Sequence, residues 1–194
     1  MFKQLAKHGM RLIAFALMLP IYFIYLIASY FLQKDQVFAG FSQFLSLFPG
    51  VSGSHLRIGF YRLAMHKCEG HLFIGFGTLF SQQQTELFDG VYIGPQCNIG
   101  QSRIEANCLL GSGVHIMSGK GQHSFSDIDT PIREQGGIFK TVTIGEDTWI
   151  GNGALIMANV GKKCIIGAGS VVINDIPDYS IVAGNPAKII KSRQ

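Results

Sequence analysis

The residues of this chain that can do chemistry gather in one polar stretch. Between Ile116 and Val142 the sequence reads Met117-Ser-Gly-Lys-Gly-Gln-His-Ser-Phe-Ser-Asp-Ile-Asp-Thr-Pro-Ile-Arg-Glu-Gln-Gly-Gly-Ile-Phe-Lys-Thr141. It holds a single histidine, His123, and three acids, Asp127, Asp129 and Glu134. Imidazole, with an unperturbed pKa of about 6.5, takes up and returns a proton near neutral pH. Such a base needs a partner on its other ring nitrogen, and any of the three acids can supply one. His115 is the rival; it directly precedes Ile116 and reads as a packed or surface histidine able to line the same cleft. His66 and His71 lie in no metal-ligand pattern. The four cysteines, Cys68, Cys97, Cys108 and Cys164, form no CxxC pair and read as reduced thiols of a cytosolic body.

The polar stretch interrupts a repeat. Aliphatic-Gly pairs recur at Ile74-Gly75, Ile93-Gly94, Ile99-Gly100, Leu110-Gly111, Ile144-Gly145, Ile150-Gly151 and Ile166-Gly167. Aliphatics fall six apart in runs such as Leu87, Ile93, Ile99 and Ile144, Ile150, Ile156. Four residues after many of them stands a compact side chain: Thr78, Cys97, Cys108, Val114, Thr148, Ala154, Ser170. This period fits neither an amphipathic helix nor an alternating strand. It fits a three-sided coil, with one short strand and one turn per side. The aliphatic points inward, the compact residue packs beside it, and glycine supplies the corner through positive φ. Cys97 and Cys108 then fill the core, and Cys164 flanks a core position. Ile156 to Ile166 falls two residues short of two periods, so one turn is tightened. A polar loop of the length of 117–141 in so regular a coil points to function.

These residues resemble the hexapeptide-repeat acyltransferases over about residues 70–190. The resemblance is strongest in Val142-Thr-Ile-Gly-Glu-Asp-Thr-Trp-Ile-Gly-Asn-Gly-Ala154, then Ile166-Gly-Ala-Gly-Ser-Val-Val172, Asp175-Ile-Pro177 and Ala183-Gly-Asn-Pro-Ala187. It is closest to the sugar O-acetyltransferases, such as the maltose and galactoside enzymes, and to those of polysaccharide biosynthesis. The resemblance implies an all-β fold, a left-handed parallel β-helix, although crossovers are usually right-handed. It implies acetyl-CoA as co-substrate, no metal, and a homotrimer with sites between neighbouring coils. His123 becomes the catalytic base for an acceptor hydroxyl, upstream of Trp149, which walls the cleft or packs in the core. Asp127, Asp129 or Glu134 orients it, and Asn98 and His115 are acceptor-site candidates. A backbone N–H at Asn152 stabilises the oxyanion. The coenzyme arm lies along Gly151-Asn152 and Ala168-Gly169, and its phosphates meet Lys188 and Lys191. A zinc β-helix of the γ-carbonic anhydrase kind would need three spaced histidines, a pattern that His66, His71, His115 and His123 do not reproduce.

The N-terminal part is of another kind. Residues 1–70 carry seven basic and two acidic residues, and residues 71–194 nine and ten. Leu12 to Leu32 is 21 residues without a charge, long enough to cross a bilayer, with Lys3, Lys7 and Arg11 before it and Lys34 after. Pro20 predicts a kink within it. A second apolar stretch, Val37 to Phe48, follows. A simple span with a cytoplasmic N-terminus would put the body outside the cell, so a bent, re-entrant or in-plane anchor is expected. The expected layout is an apolar helical membrane segment over 1–50, contacting the membrane through 12–48; an amphipathic helical linker over 51–70; and the β-helix over 71–194. Arg57, Arg62 and Lys67 would form a basic face toward anionic headgroups.

Charged residues at 14% and a mean hydropathy of +0.28 exclude intrinsic disorder. A net charge of +4, with no basic run beyond Lys162-Lys163, excludes a nucleic-acid binder. The resulting expectation is an acetyl-CoA-dependent O-acetyltransferase on the cytoplasmic face of the inner membrane. Its acceptor is a sugar hydroxyl, of a lipid-linked saccharide or an envelope polysaccharide precursor. The alternatives are N-acetylation of an amino-sugar, a serine acetyltransferase, and a non-catalytic β-helix assembly module.

Overall fold

The computed structural model describes the backbone of residues 2–194 and the side chains of residues 9–194. Lys3 and Lys7, two of the basic residues flanking the apolar run, lie outside the described side chains. Three helices come first: α1 (Phe2–Phe31), α2 (Lys34–Ser46) and α3 (Gly50–Ala64). From Lys67 the chain winds into a three-sided parallel β-helix. Face A stacks Lys67–Cys68, Glu86–Leu87, Ser102–Ile104 and Val142–Ile144. Face B stacks Phe73–Ile74, Tyr92–Ile93, Leu109–Leu110, Trp149–Ile150, Ile165–Ile166 and Ser180–Gly184. The antiparallel strand Ala187–Ser192 closes it. Face C stacks Leu79–Phe80, Asn98–Ile99, His115–Ile116, Leu155–Ile156 and Val171–Val172.

The six-residue period becomes a set of columns. Ile74, Ile93, Leu110, Ile150, Ile166 and Val182 lie in register on face B. Phe80, Ile99, Ile116, Ile156 and Val172 do so on face C. All of these side chains are buried, as are the compact residues Thr78, Cys97, Cys108, Val114, Thr148, Ala154 and Ser170. Burial removes apolar surface from water at about 25 cal/mol per Å². Cys164 is buried too. The short segment after Ile156 is resolved on face A, where Val160 replaces a strand by single bridges to Ile144 and Ile176.

The corners correct one expectation. Positive φ does not fall on the glycine that follows each inward aliphatic. It falls two residues later, at Gly153, and is adopted there by Gln96, Asn107 and Asp147 in other coils. The first glycine is required by crowding instead. A Cβ on Gly145 would collide with the backbone nitrogen of Lys162 in the next coil.

A coil open at its first turn would expose its core, and α2 and α3 cover that end. Phe38 and Leu45 from α2 join Ile58, Phe60 and Tyr61 from α3 in one core with Ile74 and Phe80. The Tyr61 ring lies 4.9 Å from that of Phe80 and 5.9 Å from that of Phe38. Ser42 Oγ accepts a hydrogen bond from Phe80 N at 2.8 Å, and Ser54 Oγ one from Ile74 N at 3.0 Å. Arg57 is wholly buried. Its guanidinium donates to Ile74 O at 2.9 and 3.2 Å, to Leu45 O at 3.2 Å and to Phe48 O at 2.7 Å. These carbonyls include the C-terminal end of α2, where a helix carries partial negative charge. Burial lowers the Arg57 pKa from its ordinary value.

Two expectations change accordingly. Arg57 does not face lipid, and Lys67 lies in a strand of face A and not on a helix, so the three basic residues form no common helical face. The Val37–Phe48 stretch is not membrane segment throughout, because its Val37, Phe38 and Leu45 pack into the capped core. Helix α1 forms an outer layer over α2 and α3. Pro20 lies inside it without ending it, and the chain turns into α2 at Leu32-Gln33.

Gly145→Ala should lower stability by about 1–3 kcal/mol, as overpacking against backbone does. Gly113→Asn, at a positive-φ corner with open space around it, should cost less than Gly145→Ala. Thermal unfolding in detergent compares them. Arg57→Met should cost about 1–3 kcal/mol by leaving the buried Ile74 carbonyl without its donor, read as a shift in the denaturation midpoint.

Candidate active site

The loop 117–141 leaves face C after Ile116 and returns to face A at Val142, so it occupies the edge between those faces. Its two arms form a stem. Lys140 N donates to Ser118 O at 2.9 Å, Ile138 N to Gly121 O at 2.7 Å, and Ser124 N to Gly136 O at 2.9 Å. Gly137 lets the arms touch, since a Cβ there would strike the Gln122 carbonyl and the His123 nitrogen. Two bonds fix the stem to the coil: Ser118 Oγ accepts from Gln101 N at 2.8 Å, and Lys120 Nζ donates to Ile173 O at 3.1 Å. His123 therefore sits on a braced stalk, exposed to solvent.

The acids of the loop do other work. Asp127 accepts from Thr130 Oγ1 at 2.7 Å and from Asp129 N at 2.9 Å. These bonds, the Thr130 hydroxyl first, hold its carboxyl below the usual range. Glu134 pairs with Arg133 at 3.2 Å, and Asp129 is exposed. Among the described residues no side chain hydrogen-bonds the His123 ring.

Asn98 and His115 do come together. They are register neighbours on the outside of face C, followed by Leu155. With Ser81, Gln122 and Phe139 they line a cavity of about 330 Å³ beside the stem. A second cavity, of about 510 Å³, lies where the stem meets the coil, with Lys120, Lys140, Asn159 and Asn174 in its wall. Sequence reasoning missed Gln122 and Phe139; the Gly136-Gly137 pair opposite His123 was the signal that two arms meet there.

Trp149 is not in the core; it points outward on face B and is 51% exposed. Gly151-Asn152 and Ala168-Gly169 stack at the edge between faces B and C, where Gly169 N donates to Asn152 O at 2.8 Å. The Asn152 side chain is used within the coil, its Oδ1 accepting from Ser112 N at 3.0 Å. A Cβ at Gly113, Gly153 or Gly169 would meet nothing within 4 Å, so this edge offers bare backbone to an extended molecule. Lys188 and Lys191 are exposed on the strand that closes face B. One chain thus carries His123 on one edge of the prism and the Asn152 corner on another.

The cysteines are not nucleophiles. Burial pushes Cys108 and Cys68 up to about 12 and raises Cys97 and Cys164. Among the described residues, no group of three or more His, Cys, Asp or Glu side chains is placed to hold a metal ion.

No family model matches the chain. It is 46% identical over 74 residues to a probable acetyltransferase of Mycobacterium tuberculosis, covering 37% of this chain and 25% of that protein. It is 33% identical over 112 residues to a chloramphenicol acetyltransferase of Escherichia coli, covering 50% of this chain and 53% of that protein. The chain therefore spans a quarter to about half the length of these curated relatives. A hexapeptide-repeat-containing acetyltransferase of Vibrio cholerae has the same fold, with a TM-score of 0.70, 18% identity, and coverage of 84% of this chain and 94% of that one. The fold and the braced loop define a hexapeptide-repeat β-solenoid protein. By sequence it is similar over part of its length to the acetyltransferases just described.

The Asp127 carboxylate should organise the loop tip above its depressed pKa and release it as pH falls through that value. Protection of the amides of residues 127–135, taken relative to their intrinsic exchange rate at each pH, should fall on acidification in the native chain. In Asp127→Ala it should be low at every pH, with the midpoint of global unfolding little changed.

Proposed function

We propose that the chain is an acetyl-CoA-dependent O-acetyltransferase with His123 as its general base. The observation that carries this reading is the stem that holds His123 off the one long interruption of the coil. A protein that needed only a scaffold would not brace an exposed imidazole in this way. The acceptor is a sugar hydroxyl, of a lipid-linked saccharide or an envelope polysaccharide precursor. The apolar helix α1, whose Gly9–Phe31 part is long and apolar enough to cross a membrane, attaches the enzyme at the cytoplasmic face of the inner membrane.

The reaction follows from the groups available. His123 takes the acceptor O–H proton as that oxygen attacks the thioester carbonyl carbon. The oxyanion receives a backbone N–H at Asn152. Collapse breaks the C–S bond, and the imidazolium returns its proton to the departing thiolate. An O-acetyl ester and free coenzyme A result. The coenzyme arm runs along the bare Gly153–Gly169 edge, with Gly151, Asn152 and Ala168 beneath it, and Lys188 and Lys191 meet its phosphates as point charges. Asn98 and His115 line the acceptor groove.

His123 and the Asn152 corner lie on different edges, so a complete site takes groups from two copies. A homotrimer supplies three such sites. The imidazole partner would then come from the neighbouring chain, across the same interface.

The test is release of coenzyme A thiol from acetyl-CoA against a panel of soluble and lipid-linked sugars. His123→Ala should lower kcat by about 10²–10⁴-fold while coenzyme A binding and the oligomer persist. Activity retained within a few-fold would remove His123 as the base.

A further inference from the structure

The apolar helix α1 has two faces, and they differ in partner. Ala14, Met18 and Tyr25 are buried, and Ile21, Tyr22 and Ala28 pack against the capped core. This spacing is one continuous helical stripe from Ala14 to Ala28. Its contacts are tight. The backbone of Ala14 and the side chain of Met18 come so near Gly59 of α3 that a Cβ there would lie 3.1 and 3.3 Å away. The Tyr25 ring lies 5.6 Å from Phe60 and 5.7 Å from Phe41, and its hydroxyl donates to Gln83 at 3.2 Å. Asp35, just beyond the helix, accepts from the Gln83 backbone at 3.1 Å. From Ala14 to Ala28, about 20 Å at 1.5 Å per residue, α1 is strapped across the end of the coil.

A helix held this way cannot run through a bilayer. Setting it upright would carry α3 and the first coil to the same depth. These bring Arg62 and Glu69, neither of them buried, into hydrocarbon, where each charge costs several kcal/mol. The rest of the helix circumference is exposed and wholly apolar, with Leu12, Ile13, Leu17, Phe23, Ile24 and Ile27 on it. A partner helix covers one stripe; this surface is wider. Basic residues flank this surface in the sequence, Arg11 before it and the exposed Lys34 after it, as suits anionic headgroups. Phe44, Leu47, Phe48 and Val51 extend the exposed apolar surface at the turn from α2 to α3.

We infer that α1 lies in the plane of one leaflet of an anionic bilayer. It does not span the membrane, and its ends and the β-helix stay on the same side. The inference rests on the membrane attachment proposed above and fixes its geometry. The coil then rises away from the surface, and the loop bearing His123 stands three coils beyond the cap, about 15 Å at the usual strand spacing.

Two measurements on full-length protein in sealed vesicles of phosphatidylethanolamine and phosphatidylglycerol test it. Spin labels at Leu12→Cys, Leu19→Cys, Phe23→Cys and Ile27→Cys, in a Cys68→Ser background, report depth by paramagnetic relaxation. All four should lie at similar, shallow depth, about 5–10 Å below the headgroups. An impermeant maleimide should modify Gly9→Cys and Gln194→Cys from the same side. Labels at Leu19 and Phe23 near the bilayer centre, about 15 Å deep, with the two ends on opposite sides, would overturn the in-plane geometry and leave membrane attachment standing. Vesicles that float without the protein would overturn both. Depth-independent, immobilised labels in floated vesicles would show a second copy covering the helix and would also overturn the inference.

Discussion

Everything in the coiled part of this molecule depends on one distance, the spacing of about 4.8 Å at which parallel strands stack. Successive coils are bonded backbone to backbone along each face, as from Gly94 N to Leu110 O and from Gly111 N to Ile150 O. At that spacing a corner residue has no room for a side chain turned toward the next coil. Gly145 and Gly151 are glycines for this reason, and the left-handed backbone two residues on is a separate requirement that asparagine or aspartate also meets. The same spacing forces the inward aliphatics into columns and leaves only compact neighbours such as Ala154 and Cys108 beside them.

A lattice this regular has little capacity to make a concave site of its own. Its faces are flat and its outward residues stand in ladders. The long loop supplies relief by leaving the coil at one edge and building a stem, with cavities on both sides. Its rigidity comes from backbone bonds between its arms and from Ser118 and Lys120 reaching into the coil. Asp127 and Glu134 serve the loop's own shape and leave the imidazole of His123 open to whatever approaches it.

The coil also has an end, and a repeat that buries its core only between neighbours must be capped. Here the cap is two helices thick. The inner pair seals the first layer and places a cation, Arg57, against the carbonyls of Leu45 and Phe48 at the C-terminal end of α2. The outer helix adds the long apolar surface. One end of the molecule therefore presents an exposed apolar surface while the loop stands several coils away.

The sequence by itself determined the coil. Its six-residue spacing, glycine pairs and compact fillers fit a three-sided coil, and the loop 117–141 with its lone histidine is legible as the place where that spacing stops. Local pattern carries such information because each repeat meets only its neighbours. Which residues share an edge was decided by the tertiary structure. Asn98 and His115 meet because 17 residues complete a coil there, and Asn152 stands away from His123 because the loop leaves from another corner. The fate of the N-terminal residues was likewise tertiary. Arg57 reads as a surface charge and Phe38 as lipid-facing, because charge and hydropathy do not say which apolar phase receives a helix. The open end of the coil took α2 and α3, and α1 kept the longest exposed apolar face.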